Sequence, residues 1–278
     1  MFVLFLILNV VLTMGSREVI LSAGVGNYSR LSLQDQYRAY QTYTEIGLIT
    51  GSSVLAYQLS TDGMLEEWPT YDPKISTEQF QYLIKTQFKL GAYPCIFCDA
   101  TIGACSNLGP RINNMIANSN KFFQDSLSRA KKFGWDGYIV DFESDSAVNI
   151  TELTKFMINW GDHLHQENLT LWLWMGGGTP YYMDMLSNNT NIKFVSMSTY
   201  VSTYIDFINV ASGLQTYYGM EKMSYGLWTY PNNMPISEND MLLIVDWLNL
   251  TKSHSINLWA ANIPPTWYKG LKRFLNTD

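Results

Sequence analysis

Ten residues decide the fold of this chain: Gly134-Trp135-Asp136-Gly137-Tyr138-Ile139-Val140-Asp141-Phe142-Glu143. Side chains alternate along a strand, so Tyr138, Val140 and Phe142 share one apolar face suited to packing beneath helices. Ile139, Asp141 and Glu143 share the other face. Two carboxylates then stand on one wall, their Cα atoms about 6.6 Å apart at ~3.3 Å per residue. Buried carboxylates that close repel each other, and one is expected to hold a proton near neutral pH. A protonated Glu at a strand end is what a general acid requires. Acidic residues at strand ends also cap helices or pair with Lys and Arg, so this pattern alone leaves both uses open.

Working outward, seven further short runs rich in β-branched or aromatic residues read as strands: Val19–Gly24, Ser53–Gln58, Ala92–Cys98, Leu169–Met175, Lys193–Thr199, Lys222–Trp228 and Ser255–Trp259. Amphipathic segments separate them, at Leu33–Gly47, Thr77–Leu90, Asn120–Phe133, Ile150–Gln166, Pro180–Leu186, Ile205–Tyr217 and Glu238–Ser253, with a last helix from Pro265 to Leu275. Ser76, Asn149 and Ser237 stand where helix N-caps belong, and Pro265 near a first turn. Eight strands alternating with eight helices over about 260 residues is the arithmetic of an α/β fold, a single (β/α)8 TIM barrel. An open doubly wound sheet also alternates, but it usually carries a glycine-rich phosphate loop after an early strand. Gly176-Gly177-Gly178 lacks that spacing. Active sites in such barrels lie at the C-terminal ends of the strands, which is where Glu143 falls.

Composition agrees with a large packed core. The chain has 278 residues, 47% hydrophobic, with 9 Trp, 18 Tyr and 13 Phe, and a formal charge of −6. Neither disorder nor a phosphate-tracking nucleic-acid surface fits these values. Surplus aromatics suit a cleft that stacks on flat faces, sugar rings among them.

The stretch Asp136 to Glu143 resembles the DGxDxDxE signature of glycoside hydrolase family 18, the chitinases and chitobiases. Lys222 to Trp228, with its Gly226-Leu227 pair and Tyr230 beyond, is similar to the family's seventh strand. Ile256-Asn257-Leu258-Trp259 is similar to the eighth, which ends in Trp, and Val195 to Tyr200 to the sixth. The resemblance implies hydrolysis of β-linked N-acetylglucosamine, in chito-oligosaccharides or the N-glycan core, by substrate-assisted retaining catalysis. Glu143 would be the acid/base, Asp141 would orient the substrate's 2-acetamido group, and Tyr200 would donate to its carbonyl. Asp136, Trp259, Trp228 and Tyr57 would bind substrate, with Trp259 as the floor under the sugar. No cofactor or metal is implied. Three departures stand out: Ile139 occupies the place of the signature's middle Asp, Tyr200 falls one place late, and the third strand lacks the family's SxGG. They motivate an alternative, a sugar-binding lectin on a barrel that has lost catalysis. An endo-acting N-glycan hydrolase of the related type usually has Asn where Asp141 stands. A Ser-His-Asp hydrolase fails for want of a GxSxG elbow.

Met1 to Met14 is almost wholly apolar and is followed by Gly15 and Ser16, which reads as a signal peptide over residues 1–16 ahead of a barrel at 17–278. Five Asn-x-Ser/Thr sequons, at Asn27, Asn149, Asn168, Asn188 and Asn249, agree with a secreted or lysosomal glycoprotein, read as a monomer with no membrane partner once the leader is removed. Of Cys95, Cys98 and Cys105, an odd set, either Cys95 or Cys98 is expected to bridge to Cys105. His163, His165 and His254 give no metal-ligand spacing.

Overall fold

The computed structural model describes residues 17–26, 29–69, 74–99, 105–143, 148–176, 185–186, 188–189, 191–219, 222–229 and 236–277. The leader expected at 1–16, the sequon at Asn27, Tyr230 and most of the helix expected at Pro180–Leu186 lie outside them.

The strands are β1 (Glu18–Ser22), β2 (Val25–Gly26), β3 (Ser29–Arg30), β4 (Gly51–Ser52), β5 (Leu55–Leu59), β6 (Leu65–Glu67), β7 (Gly91–Ala92), β8 (Cys95–Asp99), β9 (Gly137–Glu143), β10 (Thr170–Met175), β11 (Ile192–Ser196), β12 (Met223–Trp228) and β13 (Ser255–Trp259). Eleven of them form one sheet in the order β6-β5-β8-β9-β10-β11-β12-β13-β1-β4-β7. Because β4 and β5 are two halves of one strand, and β7 and β8 two halves of the next, the sheet's ends meet. β1 pairs with both β13 and β4, β4 with β7, and β5 with β8, all parallel. The result is the expected (β/α)8 barrel, with its second and third strands each interrupted.

Helices α1 (Leu33–Glu45), α2 (Thr77–Phe88), α3 (Leu108–Ala117), α4 (Ser119–Phe133), α5 (Ile150–His165), α6 (Tyr204–Tyr218), α7 (Glu238–Leu250) and α8 (Tyr268–Leu275) accompany the barrel. The cap residues act as expected. Ser76 and Gln79 make a reciprocal capping box on α2, while Asn149 and Ser237 accept from Glu152 and Asp240 N–H. Two segments between the expected strands and helices carry structure. One holds the strand β6, which pairs antiparallel with β5; the other holds α3. Its Pro110 sits in the first turn, where a missing N–H costs little, and Leu108, Ile112 and Met115 bury one face.

The outward face of β9 is as apolar as its alternation requires. Tyr138, Val140 and Phe142 are buried, and against α4 and α5 Tyr138 donates to the Ser126 carbonyl while Trp160 donates to Ser126 Oγ. Gly137 begins the strand because only hydrogen fits there. A Cβ would lie 1.9 Å from the Thr170 carbonyl oxygen of β10.

Cys98 pairs with Cys105, leaving Cys95 free and buried. Strand alternation explains the choice left open by spacing. Cys98 faces out toward Cys105, whereas Cys95, three positions earlier, faces into the barrel. Of the sequons, Asn168 and Asn188 are exposed, while Asn249 is engaged by Arg17 and Thr277. No helix among the described residues is long and apolar enough to cross a membrane.

Candidate active site

Ile139 is packed inside the barrel with Ile20, Leu55, Cys95, Phe97, Trp172, Trp174 and Val195, so the inward face of β9 is the one alternation assigns. Asp141 and Glu143 follow on that face toward the C-terminal rim. Asp141 is 2% exposed, and its Oδ1 has no hydrogen-bond partner. Glu143, the last residue of β9, is half-buried. Burial raises the Asp141 carboxyl well above the usual carboxylate range, and the charges of Glu143 and Asp99 raise it further. Burial, then the Asp99 charge, also raises Glu143. A buried acid short of counter-charge holds its proton to higher pH than a free one, the direction a general acid needs.

Aromatic rings line the same end. Trp68 packs on Phe97 with centroids 5.6 Å apart, and Phe97 on Trp259 at 6.2 Å. Trp259 meets Trp174 edge-on at 5.5 Å, Trp174 meets Tyr200 at 6.1 Å, and Tyr200 meets Trp228 at 5.8 Å. Tyr200 reaches this ring by a turn rather than by strand alternation. β11 ends at Ser196, Tyr200 N–H donates to Met197 carbonyl, and Thr199 Oγ1 donates to the Ser196 and Gly226 carbonyls. The Tyr200 hydroxyl is held neutral well past the ordinary tyrosine range, by burial first and then by the charges of Asp141 and Glu143.

Gly226 makes room for the arrangement: a Cβ there would stand 2.4 Å from the Ser196 carbonyl oxygen, 2.9 Å from the Tyr200 ring and 3.1 Å from the Trp174 ring. Gly226→Ala should therefore cost about 1–3 kcal/mol, as overpacking does. Thermal unfolding measures that loss, and an unchanged midpoint would show that the ring tolerates displacement.

Two expected substrate contacts are placed elsewhere. Asp136 precedes β9 at its N-terminal end, seven residues from Glu143 or about 23 Å along an extended chain. Its carboxylate accepts from Lys85 Nζ at 2.6 Å and Ala92 N–H at 2.8 Å, tying α2 and β7 to the barrel floor. Tyr57 shares parity with the inward Leu55, but the register with β8 shifts between them. That irregularity turns Tyr57 outward, where its hydroxyl donates to Glu78 and its ring packs on Trp135. A cavity of about 610 Å³ on the floor is lined by Arg17, Glu18, Lys85, Tyr93 and Asp136 among others. Within it Lys85 pairs with Asp136, and the Tyr93 hydroxyl donates to Glu18. In a barrel of this type that end serves stability.

Asp99 and Trp68 belong to the mouth and escaped the sequence reading. Asp99 lay one residue beyond the expected strand end, and Trp68 lay between the expected strand Ser53–Gln58 and the expected helix Thr77–Leu90, where β6 folds back against β5. Among the described residues, no group of three or more His, Cys, Asp and Glu side chains is arranged to hold a metal ion.

The described architecture defines a class: a parallel (β/α)8 barrel whose C-terminal mouth holds inward carboxylates inside a ring of aromatics. Comparison with solved structures gives that class a chitinase-like fold. The chain is similar to a chitinase from Chromobacterium violaceum, with a TM-score of 0.72 at 12% identity over 94% of this chain and 100% of that one. It is similar to the GH18 chitinase ChiB of Flavobacterium johnsoniae at a TM-score of 0.63 and 11% identity, covering 92% and 94%. It also resembles the group IV chitinase of Ostrinia furnacalis in complex with allosamidin, at 0.59 and 12%, covering 94% and 97%. No profile of a known family and no curated protein matches the sequence.

Proposed function

We propose that this protein is a glycoside hydrolase of β-linked N-acetylglucosamine, acting on chito-oligosaccharides or the N-glycan core with retention of configuration. One observation carries the reading: Glu143 stands half-buried at the rim directly above Asp141 on the same inward face, inside a wall of aromatic rings. In the first step Glu143 gives its proton to the glycosidic oxygen as the bond from that oxygen to C1 breaks. The substrate's acetamido carbonyl oxygen bonds to C1 from the opposite face, forming an oxazolinium ring. The unpaired Oδ1 of Asp141 accepts from the acetamido N–H and holds the group in line, and Tyr200 donates to its carbonyl oxygen. In the second step Glu143 takes a proton from water, which attacks C1 and reopens the ring. Trp259 forms the apolar floor and Trp228 with Tyr200 the side wall, where sugar faces stack. The leader at 1–16 and the sequons point to action in a secretory or lysosomal lumen.

The test is a time course of chitotriose and chitobiose cleavage with reducing-end labelling, on protein made through a secretory route, with product anomers followed by NMR. The β-anomer should form first. An initial α-anomer would exclude attack by the acetamido group. The Ile139 substitution favours a second reading, a lectin. Calorimetric binding of chitotriose without turnover would establish that reading in place of hydrolysis.

A further inference from the structure

Strand register sets a third carboxylate beside the pair. β8 and β9 run parallel with Cys95 opposite Ile139, Phe97 opposite Asp141 and Asp99 opposite Glu143. Cys95 and Phe97 face the barrel interior, and alternation carries Asp99 to the same face. Asp99 is 6% exposed, and its Cα stands across one strand spacing from Glu143, about 4.8 Å. A second buried group in this interior, the Trp174 indole N–H, lacks a partner as Asp141 Oδ1 does.

We propose that Asp99 is a positioning residue that acts through Glu143, supplying from the neighbouring strand the acidic neighbour that Ile139 removes from the signature. The inference rests on the hydrolase reading given above. In the DGxDxDxE pattern the middle Asp sits two places before Asp141 on the same strand, one layer deeper. Here that layer is apolar, with Ile139 opposite Cys95. The extra negative charge lies at the rim instead, level with Glu143 rather than below Asp141. Its effect therefore falls on the acid itself as well as on Asp141: an anion at one strand's distance opposes ionisation of Glu143 and keeps the proton available for the leaving oxygen. The titratable groups at this end, among the described residues, are Asp141 on Glu143's own strand, Asp99 and the deeper Cys95 on β8, and Tyr200 after β11. Trp172 and Trp174 face in from β10 without charge, and Lys193 lies over Trp172.

The experiment compares the pH dependence of kcat/KM for an aryl chitobioside in the parent, Asp99→Asn and Asp99→Glu. It adds a carbon-detected NMR titration of the Glu143 carboxyl, assigned against Glu143→Gln. Loss of the Asp99 charge should move the alkaline limb and the Glu143 ionisation to lower pH, and Asp99→Glu should restore both toward the parent. Asp99→Ser is the second neutral variant should the amide fail to fold. A Glu143 titration unchanged in a folded neutral variant would overturn the proposal. An inactive parent whose Glu143 still titrates lower in Asp99→Asn would overturn the hydrolase reading and leave the electrostatic link standing.

Discussion

Glu143→Gln should lower kcat/KM on chito-oligosaccharide reporters by about 10²-fold or more, the span that general acid catalysis contributes. The amide keeps the shape and removes the proton. Glu143 ends β9 at the rim, half-buried, so the substitution leaves no orphaned charge, and the barrel should melt near the parent midpoint. The loss should fall mainly on kcat, because the proton moves only in the transition state while the aromatic wall proposed to hold the sugar is untouched. Substrates with activated aryl leaving groups should suffer less in the first step, since they depart with less help from an acid. Equal rates in variant and parent would remove Glu143 from the mechanism.

Asp141→Asn should separate activity from stability. Its carboxyl is 2% exposed with one unpaired oxygen, and burial together with Glu143 and Asp99 raises it. A group whose folded-state value lies above its unfolded one contributes most at low pH, and that contribution falls as pH rises from the unfolded carboxylate range toward the folded value. The parent therefore loses stability from this site as pH rises from about 4, the unfolded aspartate value, toward the higher folded value. An amide cannot ionise, so Asp141→Asn should unfold at a higher temperature than the parent at neutral pH, with the difference vanishing near pH 3. Activity should fall by about 10²-fold, the cost of a reacting group held slightly out of line. Melting curves across pH together with turnover numbers check both halves. A variant less stable than the parent at neutral pH would show that the Asp141 carboxylate has a favourable partner in the folded state.

A site group held at an energetic cost to the fold is a familiar sign of function. The apolar alternatives along β9 show the contrast. Tyr138, Val140 and Phe142 belong to the outer apolar core, while the opposite face holds two acids raised by burial and by neighbouring negative charge. Ile139 is ordinary core, packed inside the barrel with Cys95, Phe97 and Trp172.

What could be read from the chain alone is what repeats locally. The two-residue period of β9 fixed the inward direction of Asp141 and Glu143. The alternation of strand and helix patterns gave the barrel, and Ser76, Asn149 and Ser237 gave the helix starts, because caps satisfy backbone groups within three residues. Other features depend on segments brought together across the fold. Register between β8 and β9 places Asp99 beside Glu143, although 43 residues separate them in sequence. An irregular pairing between β5 and β8 turns Tyr57 away from the mouth, and Lys85 draws Asp136 into the floor. A turn closed by Thr199 brings Tyr200 against Trp174. Local periodicity says which way a side chain points from its own strand; which other side chain it meets is set by hydrogen-bond register and packing between distant segments, and only the tertiary structure decides that.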